Sequence, residues 1–360
     1  MPHRSVHRGP AATPAHAASP LSRRYLVKRT VTLGLFGLGI AGSSLVGLSA
    51  CGLRIGQPAS YTPPAPGIDE LFRNKMLGLV SALDDATGPN GSKIKTVAPA
   101  QGVLSALSSA LSVQRGALLT GAETERVKAG QKVTGTTPSP GIASGPDGVL
   151  EALVRIRDLA ADGAQVCSGS LTRLLVSIGA FHTWAATAFG RHIGATVPPA
   201  RPASALRPTE PVKAHDVVSI GTQEQYAAAL RTVQRSRWEA AYAMEVLAAR
   251  PSQAPSRGAW VRAAAEHRTQ AVELGKQLAG LGQAPVTQEP AYRLPSQPLN
   301  AADEAALPRL IAENLLSGYV ELAAAAPLSA RAVPTATALA QGEKLGSLTD
   351  TLAPLPGVTV

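Results

Sequence analysis

Aromatic residues make up only 4% of this 360-residue chain. A core with so few rings has to be filled by Ala, Leu and Val. Those residues suit close-packed helices better than a β-sandwich, which draws on aromatic and β-branched side chains. No stretch sustains the period-two alternation of a strand, so the chain is expected to be all-α. Cysteine is scarcer still: Cys51 and Cys167 are the only two. That count excludes a disulfide framework and any multi-cysteine metal site. No Glu-x-x-His and no Gly-x-Ser-x-Gly elbow occurs, and the Gly-rich stretch 129–146 does not link a strand to a helix, so no phosphate loop is expected. Acidic residues are absent from the first fifty positions, which hold Arg4, Arg8, Arg23, Arg24, Lys28 and Arg29. Taking those six from the 34 basic residues leaves a surplus of only four over the 24 acidic ones. The formal charge of +10 is therefore mostly an N-terminal feature, and no basic stripe interleaved with aromatics follows it. Nucleic-acid binding is excluded on that ground.

What is present at the N-terminus reads as an address. Ser22-Arg23-Arg24-Tyr25-Leu26-Val27-Lys28 resembles the twin-arginine export motif. An uncharged run of 20 residues, Val31 to Ala50, follows it, weakened in hydrophobicity by Gly34, Gly37, Gly39, Gly42 and Gly47. A basic lead, an apolar run and a small-residue exit are the marks of a signal peptide. Leu48-Ser49-Ala50-Cys51 then resembles a lipobox, in which small residues admit the lipoprotein signal peptidase and the cysteine thiol receives diacylglycerol. The competing reading is an uncleaved anchor helix, which 20 apolar residues could just form. Five glycines and the placement of Cys51 count against it. The expectation is a lipoprotein held at the extracytoplasmic face of the cell membrane, with membrane lipid engaged through Cys51. Its acyl chains contribute about 0.8 kcal/mol per buried methylene. Cys167 is then left without a disulfide partner and reads as a small buried apolar residue.

Along the rest of the chain, residues 1–50 form the signal peptide and 51–67 a tether, with Pro58, Pro63, Pro64 and Pro66 stiffening it. Helical patterns at about 68–86, 101–120, 147–163 and 169–193 suggest an N-terminal helical domain over 68–194. Leu171, Leu174, Leu175, Ile178 and Phe181 on the fourth helix close it. A Pro-rich linker spans 195–215. Four further patterns follow at about 222–250, 257–281, 301–325 and 329–351, giving a second bundle over 216–352 and a tail, 353–360. Their apolar stripes (Tyr226, Leu230, Val233, Ala240, Met244 and Leu247 on the first) recur at the four-three spacing of bundle helices.

The second bundle resembles the ferritin-like domain-of-unknown-function family found in lipoproteins of high-GC bacteria. The likeness rests on Trp238-Glu239-Ala240-Ala241-Tyr242-Ala243-Met244, Ala265-Glu266-His267-Arg268, Ala291-Tyr292-Arg293-Leu294-Pro295 and Tyr319-Val320-Glu321-Leu322-Ala323. It implies a four-helix bundle and brings no activity with it. A ferritin-type di-iron or manganese centre needs inward carboxylates on all four helices and Glu-x-x-His on two. By helical phase Glu239 and Glu313 point away from their apolar stripes, while Arg237, a cation, points inward. His267 faces inward and Glu343 can; these are the weak metal candidates, and an Arg237–Glu343 pair is the expected structural use of the latter. His182, Trp184 and His192 share one helix, but two histidines ten residues apart suit a packed polar patch better than a chelate. No catalytic residue and no cofactor are therefore expected. The leading reading is a non-enzymatic interaction or structural module of the cell envelope, with an envelope protein as partner. The alternative is a ferritin-type metal-binding oxidase or iron-handling protein. A solute-binding lipoprotein ranks third, since the strands of the usual two-lobed architecture are missing.

Overall fold

The computed structural model describes residues 66–88, 94, 97–133, 141–143, 145–206, 219–296 and 299–358. The export and lipidation residues Arg23, Arg24, Leu48, Ser49, Ala50 and Cys51 lie outside them, as does most of the tether. Among the described residues every regular element is helical: α1 Ile68–Thr87, α2 Ala98–Leu118, α3 Gly121–Lys128, α4 Pro146–Ala164, α5 Gly169–Ile193, α6 Gln223–Ala249, α7 Arg257–Gly280, α8 Ala301–Ala325 and α9 Ala332–Leu348. None of these helices is long and apolar enough to cross a membrane. Local chemistry sets their starts. Thr222 accepts from the Gln225 amide while the Gln225 side chain accepts from the Thr222 amide, a capping box that opens α6. Thr120 and Glu123 do the same for α3, and the Ser168 and Asn300 side chains cap α5 and α8. Gly194, at φ 71°, ends α5 in the left-handed conformation that glycine adopts most easily.

The hub is α5. From Leu175 to Gly190 every residue but Thr187 is buried, as expected of a helix that is apolar all round. Helices α2 and α4 pack on it from the N-terminal half, α8 and α9 from the C-terminal half. The two bundles expected from the sequence therefore share one continuous core within a compact unit, Pro63–Val360. Two features explain the fusion. Where α9 crosses α5, a Cβ at Gly342 would stand 2.4 Å from the Ala180 carbonyl oxygen, and one at Gly346 2.7 Å from that of Trp184. Only glycine lets the backbones meet this closely. The second feature is Arg331, just before α9 and fully buried. Its guanidinium donates to the carbonyls of Ala326 (3.0 Å), Ala164 (3.2 Å) and Cys167 and to Thr172 Oγ1 (2.9 Å). It thus caps the carbonyl ends of α4 and α8 together, where the helix dipole favours a cation. Burial pulls this guanidinium below its ordinary pKa, with the Cys167 thiol and Asp69 acting the other way. Burial likewise pushes the free Cys167 thiol up, so it stays protonated and packs as a small apolar group.

The C-terminal residues are no loose tail. The Trp184 indole donates to the Thr349 carbonyl (2.9 Å), Gln114 Nε2 to that of Pro354 (2.8 Å) and Ser177 Oγ to that of Pro356 (2.8 Å). Leu355 is buried between them. Residues 349–358 thus form a strap laid across α2 and α5, held by side chains those helices bury.

Candidate functional site

The polar centre of the C-terminal half is built by four helices. Arg237 on α6 is 3% exposed; its Nε donates to Tyr319 Oη of α8 (3.0 Å) and its Nη1 to His267 Nδ1 of α7 (2.8 Å). The guanidinium also lies over the Tyr319 ring, 4.9 Å from the centroid. An arginine can only donate, so Nδ1 of His267 accepts and the imidazole is neutral with its proton on Nε2. Burial first, then the charges of Arg237 and Lys344, hold the His267 pKa down to about 3. Lys344 of α9 is the fourth member. It is half-buried; its carbonyl accepts from Ser347 Oγ (2.6 Å), and its ammonium makes no hydrogen bond or ion pair among the described residues. Burial, and then Arg237, depress its pKa, and Glu266 alone acts to raise it.

A groove opens beside this centre, between α7 and α9. It encloses about 440 Å³, within the range of small-molecule sites. Leu274, Tyr319, Leu322 and Pro334 give it an apolar lining, Gln270, Gln277 and Thr337 polar edges, and Glu273 a carboxylate; neither Arg237 nor Lys344 lines it. The groove and the charged centre adjoin through two side chains. Tyr319 presents its ring to the groove and its hydroxyl to Arg237. Gln270 lines the groove while its Nε2 donates to Glu266 (3.0 Å).

The residues singled out from the sequence fall as follows. His267 is inward, as its phase required, but its Nδ1 lone pair is taken by a guanidinium. The expected Arg237–Glu343 pair does not form: Arg237 turns to Tyr319 and His267, and the neighbouring Lys344, one step round α9, acts on Arg237 instead. One residue along a helix turns the side chain by about 100°, so the phase that set Glu343 inward was one step off. Glu239 is half-buried away from the centre; burial raises its pKa, opposed by Arg235 and assisted by Glu289. Glu313 pairs along its own helix with Arg309 (2.8 Å). His182 and His192 do not converge. His182 is fully buried with Nε2 2.9 Å from Gln114 Oε1, and because that amide donates its nitrogen to Pro354, the imidazole is the donor. Burial holds its pKa down to about 3. His192 lies near the surface against Asp350 (2.9 Å). Lys344 and the strap were missed; a lone lysine on a weakly patterned helix gives no signal until its neighbours are known.

This centre does not fit a ferritin-type di-metal site. Such a site needs several carboxylates converging on one point, to neutralise two cations. Here the converging groups are a guanidinium, an ammonium, a phenol and an imidazole already accepting a hydrogen bond, and the first two repel a metal ion. Among the described residues no three His, Cys, Asp or Glu side chains are grouped to hold a metal. No curated protein and no solved structure matched the chain. Over residues 227–360, which hold the whole of the Arg237 centre, the chain is similar to a family whose model is described as Domain of unknown function (DUF4439).

Proposed function

We propose that this protein is a lipoprotein exported by the twin-arginine route, anchored by an acylated Cys51 at the outer face of the cell membrane, whose helical body is a binding and interaction module without a catalytic metal. The address rests on Ser22-Arg23-Arg24-Tyr25-Leu26-Val27-Lys28 and on Leu48-Ser49-Ala50-Cys51, two motifs in the order and spacing that export followed by lipidation requires. The non-catalytic part rests on one observation: Arg237 is buried at the centre of the second bundle, where ferritin-type chemistry needs carboxylates. The bundle is on this reading a ferritin-like framework whose interior holds cations instead of ligands, with an envelope protein as partner.

Two measurements test the proposal. Cys51→Ser is expected to abolish acylation and release the chain from membrane fractions; membrane fractionation like the parent overturns the anchor. Elemental analysis of the membrane-purified protein is expected to find iron and manganese well below one atom per chain. Two atoms per chain overturn the non-catalytic reading in favour of the oxidase.

A further inference from the structure

Two of the segments that carry the family likeness, 238–244 on α6 and 291–295 before α8, meet at a cavity that neither Arg237 nor Lys344 lines. It encloses about 240 Å³ between α6, α8 and the 291–295 segment. Its walls are pinned. Tyr292 is buried against Trp238 and Ala271, and its hydroxyl accepts from the Glu289 amide (2.8 Å). The Trp238 indole donates to the Val286 carbonyl (3.1 Å). At the other end of the segment Ser296 Oγ donates to Asp303, in the first turn of α8. Arg293, Leu294 and Pro295 therefore stand between two anchors, and a cavity with fixed walls loses little freedom when it takes a ligand.

Opposite charges line this cavity and do not meet. Glu239 of α6 is half-buried, and its carboxylate makes no hydrogen bond or ion pair among the described residues. Burial raises its pKa; Arg235, one turn earlier, opposes this through its field, and Glu289 assists. Arg293 is exposed, and its guanidinium is likewise without a bonded partner among the described residues. Leu307, Leu310 and Ile311 of α8 supply an apolar wall. A cation beside Glu239, an anion beside Arg293 and an apolar group against α8 are the parts of one small zwitterion. The volume lies below the roughly 300 Å³ at which drug-sized sites begin, which limits the ligand to the size of a single amino acid. We propose that the cavity between α6, α8 and the 291–295 segment binds a free aliphatic amino acid, its ammonium on Glu239, its carboxylate on Arg293 and its side chain against Leu307, Leu310 and Ile311. A guanidinium suits the second role because its planar fork matches a carboxylate. The site stands apart from the lipidation of Cys51 and from the question of a catalytic metal.

The test is calorimetric titration of the whole chain with L-leucine and with probes that each lack one part of it: isocaproate without the ammonium, isopentylamine without the carboxylate, and glycine without the side chain. Leucine is expected to bind once per chain, and each incomplete probe about tenfold more weakly or worse. Glu239→Gln is expected to bring leucine down to the affinity of isocaproate, and Arg293→Gln to that of isopentylamine. Asn314→Trp, which fills the cavity from an exposed edge, is expected to remove leucine binding and keeps the test open should a charge variant fail to fold. No saturable leucine binding, or leucine binding unchanged in Glu239→Gln and Asn314→Trp, overturns the proposal. Binding of isopentylamine or isocaproate as tight as that of leucine overturns the zwitterion assignment.

Discussion

Arg331 and Arg237 are both withdrawn from water, but their surroundings differ in kind. Arg331 is met by three backbone carbonyls at helix ends and by a threonine hydroxyl, and the carbonyls of Ala164 and Cys167 otherwise share only that hydroxyl. Arg237 is met by the side chains of a buried phenol and a buried imidazole, and by the field of a second cation. The first arginine is spent on the seam between the halves of the molecule. The second ties α6 to α7 and α8 through side chains within one half. Burial alone therefore does not tell what a charged residue is for; the needs of its partners do.

This contrast is open to attack from several sides, beginning with the largest effect. Arg331→Met takes the guanidinium from the Ala326 carbonyl and leaves the Ala164 and Cys167 carbonyls with the single Thr172 hydroxyl, and is expected to cost about 3 kcal/mol or more in urea unfolding. A loss under about 1 kcal/mol would put Arg331 in the same class as Arg237. Deleting residues 349–360 strips Trp184, Gln114 and Ser177 of their acceptors and is expected to cost roughly 3 kcal/mol, at about one per hydrogen bond. Gly342→Ala drives a methyl group into the Ala180 carbonyl, and a loss of about 1–3 kcal/mol is expected from overpacking.

The pH dependence follows from the two buried imidazoles. His182 and His267 have folded pKa values of about 3, against 6.5 for the free group. Between those values the unfolded chain binds protons that the folded one refuses, so stability is full above pH 6.5 and falls as the pH is lowered. Each histidine contributes a slope of up to about 1.4 kcal/mol per pH unit in that window. Replacing His182 by Gln is expected to halve the slope attributable to the pair, and an unchanged acid profile would refute the assignment. The smallest effect is expected from Arg237→Met. Relief of a desolvated charge offsets the loss of the donor to Tyr319 Oη and His267 Nδ1, so stability should change by less than about 1 kcal/mol, in either direction. A loss as large as that of Arg331→Met would show Arg237 to be structural and erase the contrast.

Much of the helical scaffold was legible because it rests on local pattern. The apolar periodicity of 169–193 and 301–325 coincides with α5 and α8, and the pattern at 222–250 begins at Thr222, the residue that caps α6. Helix α3 escaped notice since Gly121–Lys128 is short and polar, although Thr120-x-x-Glu123 carried the signature of a capping box. The sharing of one core was not legible. Prolines after residue 195 suggested a boundary, whereas the union depends on Gly342 and Gly346 meeting carbonyls of a helix some 160 residues earlier, and a glycine pair has meaning only once its neighbour is known. Of the candidate site, the inward turn of Arg237 and His267 could be read from phase; Lys344 and the groove could not. Both depend on how far α9 stands from α7, a spacing set by the seat of α9 on α5.

That seat has a practical corollary. The stretch with recognisable kin starts at residue 227, inside α6, yet α9 rests on a helix that ends at Ile193. A fragment cut to the boundaries of the family likeness would present two bare glycines to solvent and carry a C-terminal strap with nothing to fasten to. The portion of this polypeptide that can be recognised and the portion that can stand alone are different lengths, and expression trials should follow the longer one.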